Sequence, residues 1–472
     1  MPTSGTGRAR PGRGRTGAGL DAAPALAALV FTALATLAAL AAGAVAGWPR
    51  LAAAQPGLFP AEPTSLPPSP TPPAPRGYSD FSRAGAGFWG PGRESAPERL
   101  PPTVKVGLFG PGQGEEAVEL QRGAGLALEE ANRQGGAAGR PFELVWRADD
   151  GAWGKATPRL VELAYAEQVW AIVGGLDGHH AHLAELVAAK LWVPVVTPWA
   201  ADRTIDYANV PWVFRCPPDD ARQAEALLRH AAACGALPLL LLREEEREAR
   251  VAGERLAEAA RRLGLPQPEQ RVFTASADVA ATVAAARAWA TAAAPATPAA
   301  ALPAGSSPAA SPPARAILIW GRRQPALRLA EMLRRGGYTG LLLAPAALAV
   351  PEAAAIDGLV VAAPFDLSRP SPAWTQLDQL YGARFGEAPS ALAVMAHEAM
   401  ALTLGAIAEA GLNRARIRDA LARTVREGAA GSIRFDGLGG NPAWPVLVRA
   451  SAGRWLPPGE QPGAAKGCGG AR

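Results

Sequence analysis

The run TVKVGLFGPGQGEEAVELQRGAGLALEEANRQGGAAGRPFELVWRADDGA, residues 103–152, decides the fold. Val104, Val106 and Leu108 alternate as a short buried strand, and Gly110, Gly112 and Gly114 let the backbone turn where side chains would clash. Over 121–132, Gly123, Ala124, Ala127, Leu128 and Ala131 fall on one helical face and Glu129 and Glu130 on the other. Gly135-Gly136 supplies the left-handed stop. Phe142, Leu144 and Trp146 then alternate into a second strand ending on Asp149 and Asp150. Strand, turn, helix and strand in this order predict the opening of an α/β sheet.

Outward from this unit the alternation continues. A helix at 160–166, a buried strand at 169–173, a helix carrying Leu183, Leu186, Val187 and Leu191, and a strand at 192–197 complete a first block closing near Pro218. A second block follows with a helix at 221–234, a strand at 237–242 apolar enough to be covered on both faces, a charged helix at 246–263 and a strand at 270–274. Strands at 316–320, 341–343 and 358–362 follow, with a helix at 327–334 between the first two. Helices at 372–385, 391–410 and 417–425 and a hairpin around 435–437 complete the pattern. Two successive βα blocks predict two lobes with a cleft between them.

The ends have a different composition. Arg8, Arg10, Arg13 and Arg15 precede an uncharged Ala/Leu-rich run over 22–47, an export signal cleaved after Ala54 or a retained membrane anchor. The arginines place residues beyond Leu51 outside the cytoplasm. Most of the formal charge of +5 sits in this leader, so the rest carries no nucleic-acid footprint. The proline-crowded stretch 55–102 reads as a semi-extended tether of about 45 residues, reaching on the order of 100 Å. The Ala/Pro/Ser run 290–314 reads as a disordered insertion and 458–472 as a disordered tail. Of three cysteines, Cys216 and Cys234 either pair or stay as thiols.

Three chemistries compete for the loops at the strand ends. A dinucleotide turn needs a third glycine three positions after Gly112, where Glu115 stands, and Asp149 is too far along to be the ribose acid. Asp177, His179, His180 and His182 cluster at one helix start, but without an HExxH or other metal spacing. No Gly-x-Ser-x-Gly elbow or Walker loop argues for catalysis. A non-catalytic binding cleft remains, without cofactor or metal.

VKVGLFG (104–110), GAGLALEEAN (123–132), Gly135-Gly136, Gly139, Asp149-Asp150, Val173-Gly174-Gly175 and VPVVTP (193–198) occur in one order and spacing. With AHEA (396–399), this set resembles the branched-chain amino-acid type of periplasmic binding protein, over roughly 103–455. The resemblance implies a type I fold of two lobes joined by three crossovers, closing on a small molecule for an ABC permease. It implies a first lobe of 103–217 and 347–430, and a second of 218–346 and 431–457. It places the ligand at Asp177, Gly178 and His179, and at Trp199, Ala200 and Ala201. Family hydroxyls are missing there, so backbone N–H groups would serve, and Trp199 either packs on the ligand or caps the core. On the second lobe it points to Glu248 near the ammonium end, to Ala346 or Ala347 where the family has an acid, and to Arg323 in the loop after Trp320. The implied solute is an amino acid, an amide or a small carboxylate; the alternative is a sensing or protein-interaction module with a degenerate cleft.

Overall fold

The computed structural model describes residues 97, 99–149, 153–208, 210–274, 279–292, 315–369 and 371–458. The leader, nearly all of the tether, Asp150, residues 293–314 and 459–472 of the tail lie outside them. The expected opening unit is present as strand β1 (Val104–Gly110), helix α1 (Glu115–Arg133) and strand β2 (Phe142–Ala148). Strands β3 (Ile172–Gly174), β4 (Val195–Thr197) and β5 (Val213–Arg215) complete a five-stranded parallel sheet in the order β2-β1-β3-β4-β5. Helices α2 (Trp153–Val161), α3 (Gly178–Leu191) and the short α4 (Thr204–Tyr207) connect them, and a π-helical turn over Glu162–Ala166 extends α2.

The alternation in β1 explains why the sheet needs cover on both faces. Val104, Val106 and Leu108 enter one core with Leu120, Ala124 and Ala127 of α1. Phe109 enters another with Leu160, Leu163, Ala181 and Leu183 from the opposite layer. Two glycines allow close backbone approach. A Cβ on Gly123 would lie 2.1 Å from the Ala393 carbonyl oxygen, and one on Gly174, at φ +149, 1.9 Å from the Phe109 carbonyl oxygen.

The second sheet is seven-stranded, in the order β14-β13-β10-β9-β8-β6-β7. Strands β6 (Leu239–Glu244), β7 (Glu269–Phe273), β8 (Ala316–Trp320), β9 (Leu342–Ala344) and β10 (Leu359–Ala363) run parallel, and β13 (Val446–Ser451) and β14 (Arg454–Leu456) add antiparallel. Helices α5 (Asp220–Ala233), α6 (Arg247–Leu263), α7 (Val279–Thr291) and α8 (Arg323–Arg335) belong to this lobe. Leu240 and Leu242 of β6 face one core and Leu239 and Leu241 the other. The chain then returns to the first lobe with α9 (Pro372–Phe385), α10 (Ala391–Ala410), α11 (Arg414–Arg423) and the hairpin β11 (Val425–Gly428) and β12 (Gly431–Arg434). Helix α10 is apolar on every face because it is buried: of its most apolar stretch, 83% lies inside the molecule.

Three expectations need correction. The return to the first lobe comes after Ala363 rather than at 347, because β10 pairs in parallel with β9. Two short 3-10 turns, Ala346–Leu348 and Pro351–Ala355, join those strands in place of a full crossover helix, so the sequence gives no sign that the lobe continues. The hairpin lies at β11–β12, ahead of Phe435, and the second lobe resumes only at β13. Helix α7 holds Ala290 and Thr291, so the start of the expected insertion is ordered, with Trp289 packed under the Arg315 guanidinium at 4.8 Å.

Three segments cross between the lobes, after β5, after β10 and before β13. The first and third lie side by side. The Arg215 N–H donates to the Gly439 carbonyl at 2.9 Å, and the Asn441 N–H to the Arg215 carbonyl at 3.0 Å. The fully buried Arg215 guanidinium bonds Asp206 at 2.5 Å and lies 3.8 Å from Asp219.

Candidate functional site

Both sheets present strand carboxyl ends to the same cleft, where open α/β sheets place their ligands. At the strand ends of the first lobe follow the start of α1, Asp149 after β2, residues 177–179 after β3 and 199–204 after β4. At those of the second follow 245–248 after β6, 321–323 after β8 and Ala346 after β9.

The lobes meet through their own side chains. The Gly178 N–H, at the first turn of α3, donates to Oε1 of the Glu248 carboxyl. Beside it, Arg247 pairs with buried Asp202 and donates to Thr204 Oγ1 at 3.1 Å. Across the cleft, Arg323, only 6% exposed, donates to both Glu119 oxygens at 3.1 and 2.7 Å and lies 3.6 Å from Glu116. Gln324 reaches Glu115 at 3.2 Å. Arg255 of α6 stands 5.6 Å from the Tyr207 ring centre.

Carboxylates dominate this field. Burial pushes the Glu248 carboxyl up to about 8, with Asp177, Asp202 and Asp220 adding to the rise and the Gly178 N–H opposing it. Burial, with Asp202 and Asp219 beside it, lifts Asp220 to about 7. Burial also raises Glu116, against the pull of Arg323. Asp202 shows the opposite balance: burial works to raise it, but His182, Thr204 and Arg247 hold it well below the usual carboxylate range. His182, between Asp202 and Glu185, is pushed up to about 9.

The structure sorts the expected site residues. Asp177 caps α3, its carboxylate accepting from the His180 N–H at 2.7 Å and meeting His180 Nδ1 at 2.8 Å. His179 is half-buried and stands edge-on to His180 at 5.0 Å; burial and the neighbouring His180 lower its pKa. Trp199 is half-buried and packs against the main apolar core. Ala200 is buried, its N–H donating to Thr197 Oγ1 at 3.2 Å, and the Ala201 carbonyl accepts the Asp220 N–H at 2.7 Å. Glu248 meets the Gly178 N–H of the opposite lobe, and Arg323 is committed to α1. The Ala346 N–H donates to Gln223 at 2.9 Å.

The histidine cluster separates on folding. His180 turns to Asp177 and Asp149, the latter at 3.7 Å, and His182 to Glu185 and Thr204 at 2.7 and 2.8 Å. Among the described residues no three acids, histidines or cysteines are grouped to hold a metal. The resemblance at 396–399 resolves into packing: His397 bonds Glu130 of α1 at 2.8 Å, and Glu398 pairs with Arg426 at 2.5 Å. Sequence reasoning missed Asp202, Arg247 and Glu119. The available signal was charge: glutamates at the start of α1 and arginines at the start of α8 are the reverse signs that a cleft brings together.

A family described as periplasmic binding protein matches residues 103–449. No curated protein matches the sequence. Among solved structures, a branched-chain amino acid transporter substrate binding protein from Streptococcus pneumoniae in complex with isoleucine aligns at TM-score 0.63 and 19% identity, over 75% of this chain and 97% of its own. A leucine binding protein from Thermotoga maritima gives 0.61 and 19%, over 75% and 97%. A solute binding protein of an ABC transporter from R. palustris in complex with benzoate gives 0.64 and 16%, over 75% and 95%. At these identities the likeness is one of fold.

Proposed function

The chain belongs to the periplasmic binding protein family, and from that premise we propose that it captures a small solute in the cleft between its lobes and delivers it to an ABC-type permease. The observation that carries this reading is the convergence of strand ends and the helix starts of α1, α3, α6 and α8 from two sheets on one cleft. Binding is non-covalent, with the three crossovers as the hinge. The solute is an amino acid, an amide or a small carboxylate, held near Asp177, Gly178, His179, Trp199, Ala200, Ala201, Glu248 and Arg323. The family is extracytoplasmic. We add that the apolar leader exports the chain and, if retained, tethers it to the outer face of the membrane; mass spectrometry of the mature amino terminus tests this, a start at Gln55 ruling out the anchor.

Thermal-shift screening of the purified chain against amino acids, amides and aliphatic and aromatic carboxylates tests capture. A ligand at a hundred times its Kd adds about 2.7 kcal/mol to native stability, enough to raise Tm by several degrees. No shift across the panel overturns the capture reading. It would favour the interaction-module reading, which the direct contact between Gly178 and Glu248 supports.

A further inference from the structure

We propose that Glu248 determines ligand specificity: seated from the second lobe on the Gly178 N–H, it holds the start of α3 against a ligand carboxylate and turns the cleft toward solutes bearing N–H donors, amides and amines. The inference rests on the capture reading and names the substrate class of that cleft.

A helix start offers N–H groups and a favourable dipole to an anion. At α3 that offer is already taken. The Asp177 carboxylate accepts the His180 N–H, and the Glu248 carboxyl accepts that of Gly178. The second loop at this end of the cleft gives little in compensation: Thr197 Oγ1 donates to the Gly175 carbonyl at 2.6 Å and accepts the Ala200 N–H, and residues 199–201 carry no hydroxyl.

Glu248 is positioned rather than loosely placed. Its neighbour Arg247 is fixed by Asp202 and Thr204, which pins the first turn of α6 against α3. Gly178 has no room for a side chain: a Cβ there would lie 2.6 Å from an Asp202 carboxylate oxygen and 2.9 Å from Glu248 Oε1. The electrostatic field points the same way. Asp177, Asp202 and Asp220 all raise the Glu248 pKa, so a ligand carboxylate placed there would meet the same repulsion. An amide or ammonium reverses the sign at the Asp177 carboxylate, while Glu248 keeps the Gly178 N–H occupied.

The test uses the full chain, wild type, Glu248→Ala and Glu248→Gln, with the outer-face Glu254→Ala as control. Calorimetric titration compares matched pairs differing only at the polar end: L-leucine with L-leucinamide, and benzoate with benzamide. Wild type and Glu254→Ala are expected to favour the amide at least tenfold in one pair, and Glu248→Ala to lose that preference by tenfold or more. Amide hydrogen exchange at Gly178 gives a readout independent of any ligand. Its N–H precedes the helix ladder, so Glu248→Ala should exchange at least tenfold faster there, while Glu248→Gln, which keeps an acceptor oxygen, retains protection. A wild-type preference for the acids, an unchanged ratio in Glu248→Ala, no binding of all four probes by either protein, or unchanged Gly178 exchange each overturns the proposal. A wild type that binds other solutes in the broad panel leaves capture standing even then, so the two failures are distinct.

Discussion

Replacing Arg323 by Met should weaken the fold at the lobe interface, by an amount the geometry sets. Arg323 is 6% exposed and its main partner Glu119 17% exposed, with two hydrogen bonds between them. Removing one member of a buried pair strands the other charge, at a cost of about 3–5 kcal/mol. Glu116 and Glu115, 40% and 63% exposed, lie 3.6 and 3.9 Å from Arg323, beyond hydrogen-bond distance, and such partly exposed pairs contribute only ~0–1 kcal/mol. Methionine keeps the apolar bulk of the stem. Parting the lobes would also return water to Glu119, so the low end, about 3 kcal/mol, is expected. At roughly 2 °C per kcal/mol for a chain of this size, Tm should fall by about 6 °C. Thermal unfolding of Arg323→Met, Glu119→Gln and the double variant measures it. The double variant should recover part of the loss, with a coupling of ~1–3 kcal/mol. Solution scattering should show the single variant more expanded. A Tm within about 1 °C of wild type, or additive single effects, would refute the reasoning that this pair joins the lobes.

Three further outcomes follow from packing and protonation. Gly123→Ala drives a methyl into the Ala393 carbonyl and should cost at least ~1–3 kcal/mol in denaturant unfolding, whereas Gly125→Ala, on the same helix with nothing within 4 Å, should be neutral or stabilising. For His397→Gln, the stability lost relative to wild type should depend on pH. Burial works against the charged imidazole, but Glu130 and Glu398 raise its native pKa above 6.5, so its contribution is full below 6.5 and lost as pH rises through the native value. The partner carboxyls are lowered: His397 leads for Glu130, and at Glu398 burial is outweighed by His397 and Arg426. Their contribution is lost as pH falls from about 4.5 through their native values, so the difference in Tm should peak between about pH 4.5 and 6.5. Cys216 and Cys234 are not joined in a disulfide, and burial pushes the Cys216 thiol far above its ordinary value. A thiol reagent should therefore modify Cys216 only on unfolding and Cys234 in the native protein; loss of both together without unfolding would refute the assignment.

The sequence by itself determined the elements, and it did so where periodicity and chain geometry agree. Val104, Val106, Leu108 and Phe109 specify a strand buried on both faces, which only a layered α/β lobe can cover. The predicted bounds of α9 and α10 match because Ser371 and Ser390 cap the helices and Gly386 and Gly411 end them, signals written within a turn of each boundary. Lobe membership was not legible at β10, since a strand carries the same apolar run whichever sheet it joins and the short turns before it gave no crossover helix to count. The site was legible only in part. Glu248 and Gly178 stood out singly, seventy positions apart, and nothing local ties a carboxylate at one helix start to an N–H at another. The pairing of Glu248 with Gly178, of Arg247 with Asp202 and of Arg323 with Glu119 was decided by the tertiary structure. Two sheets bring their strand ends together there, and charged and polar groups that are each only solvated in the extended chain become the nearest partners available once water is excluded.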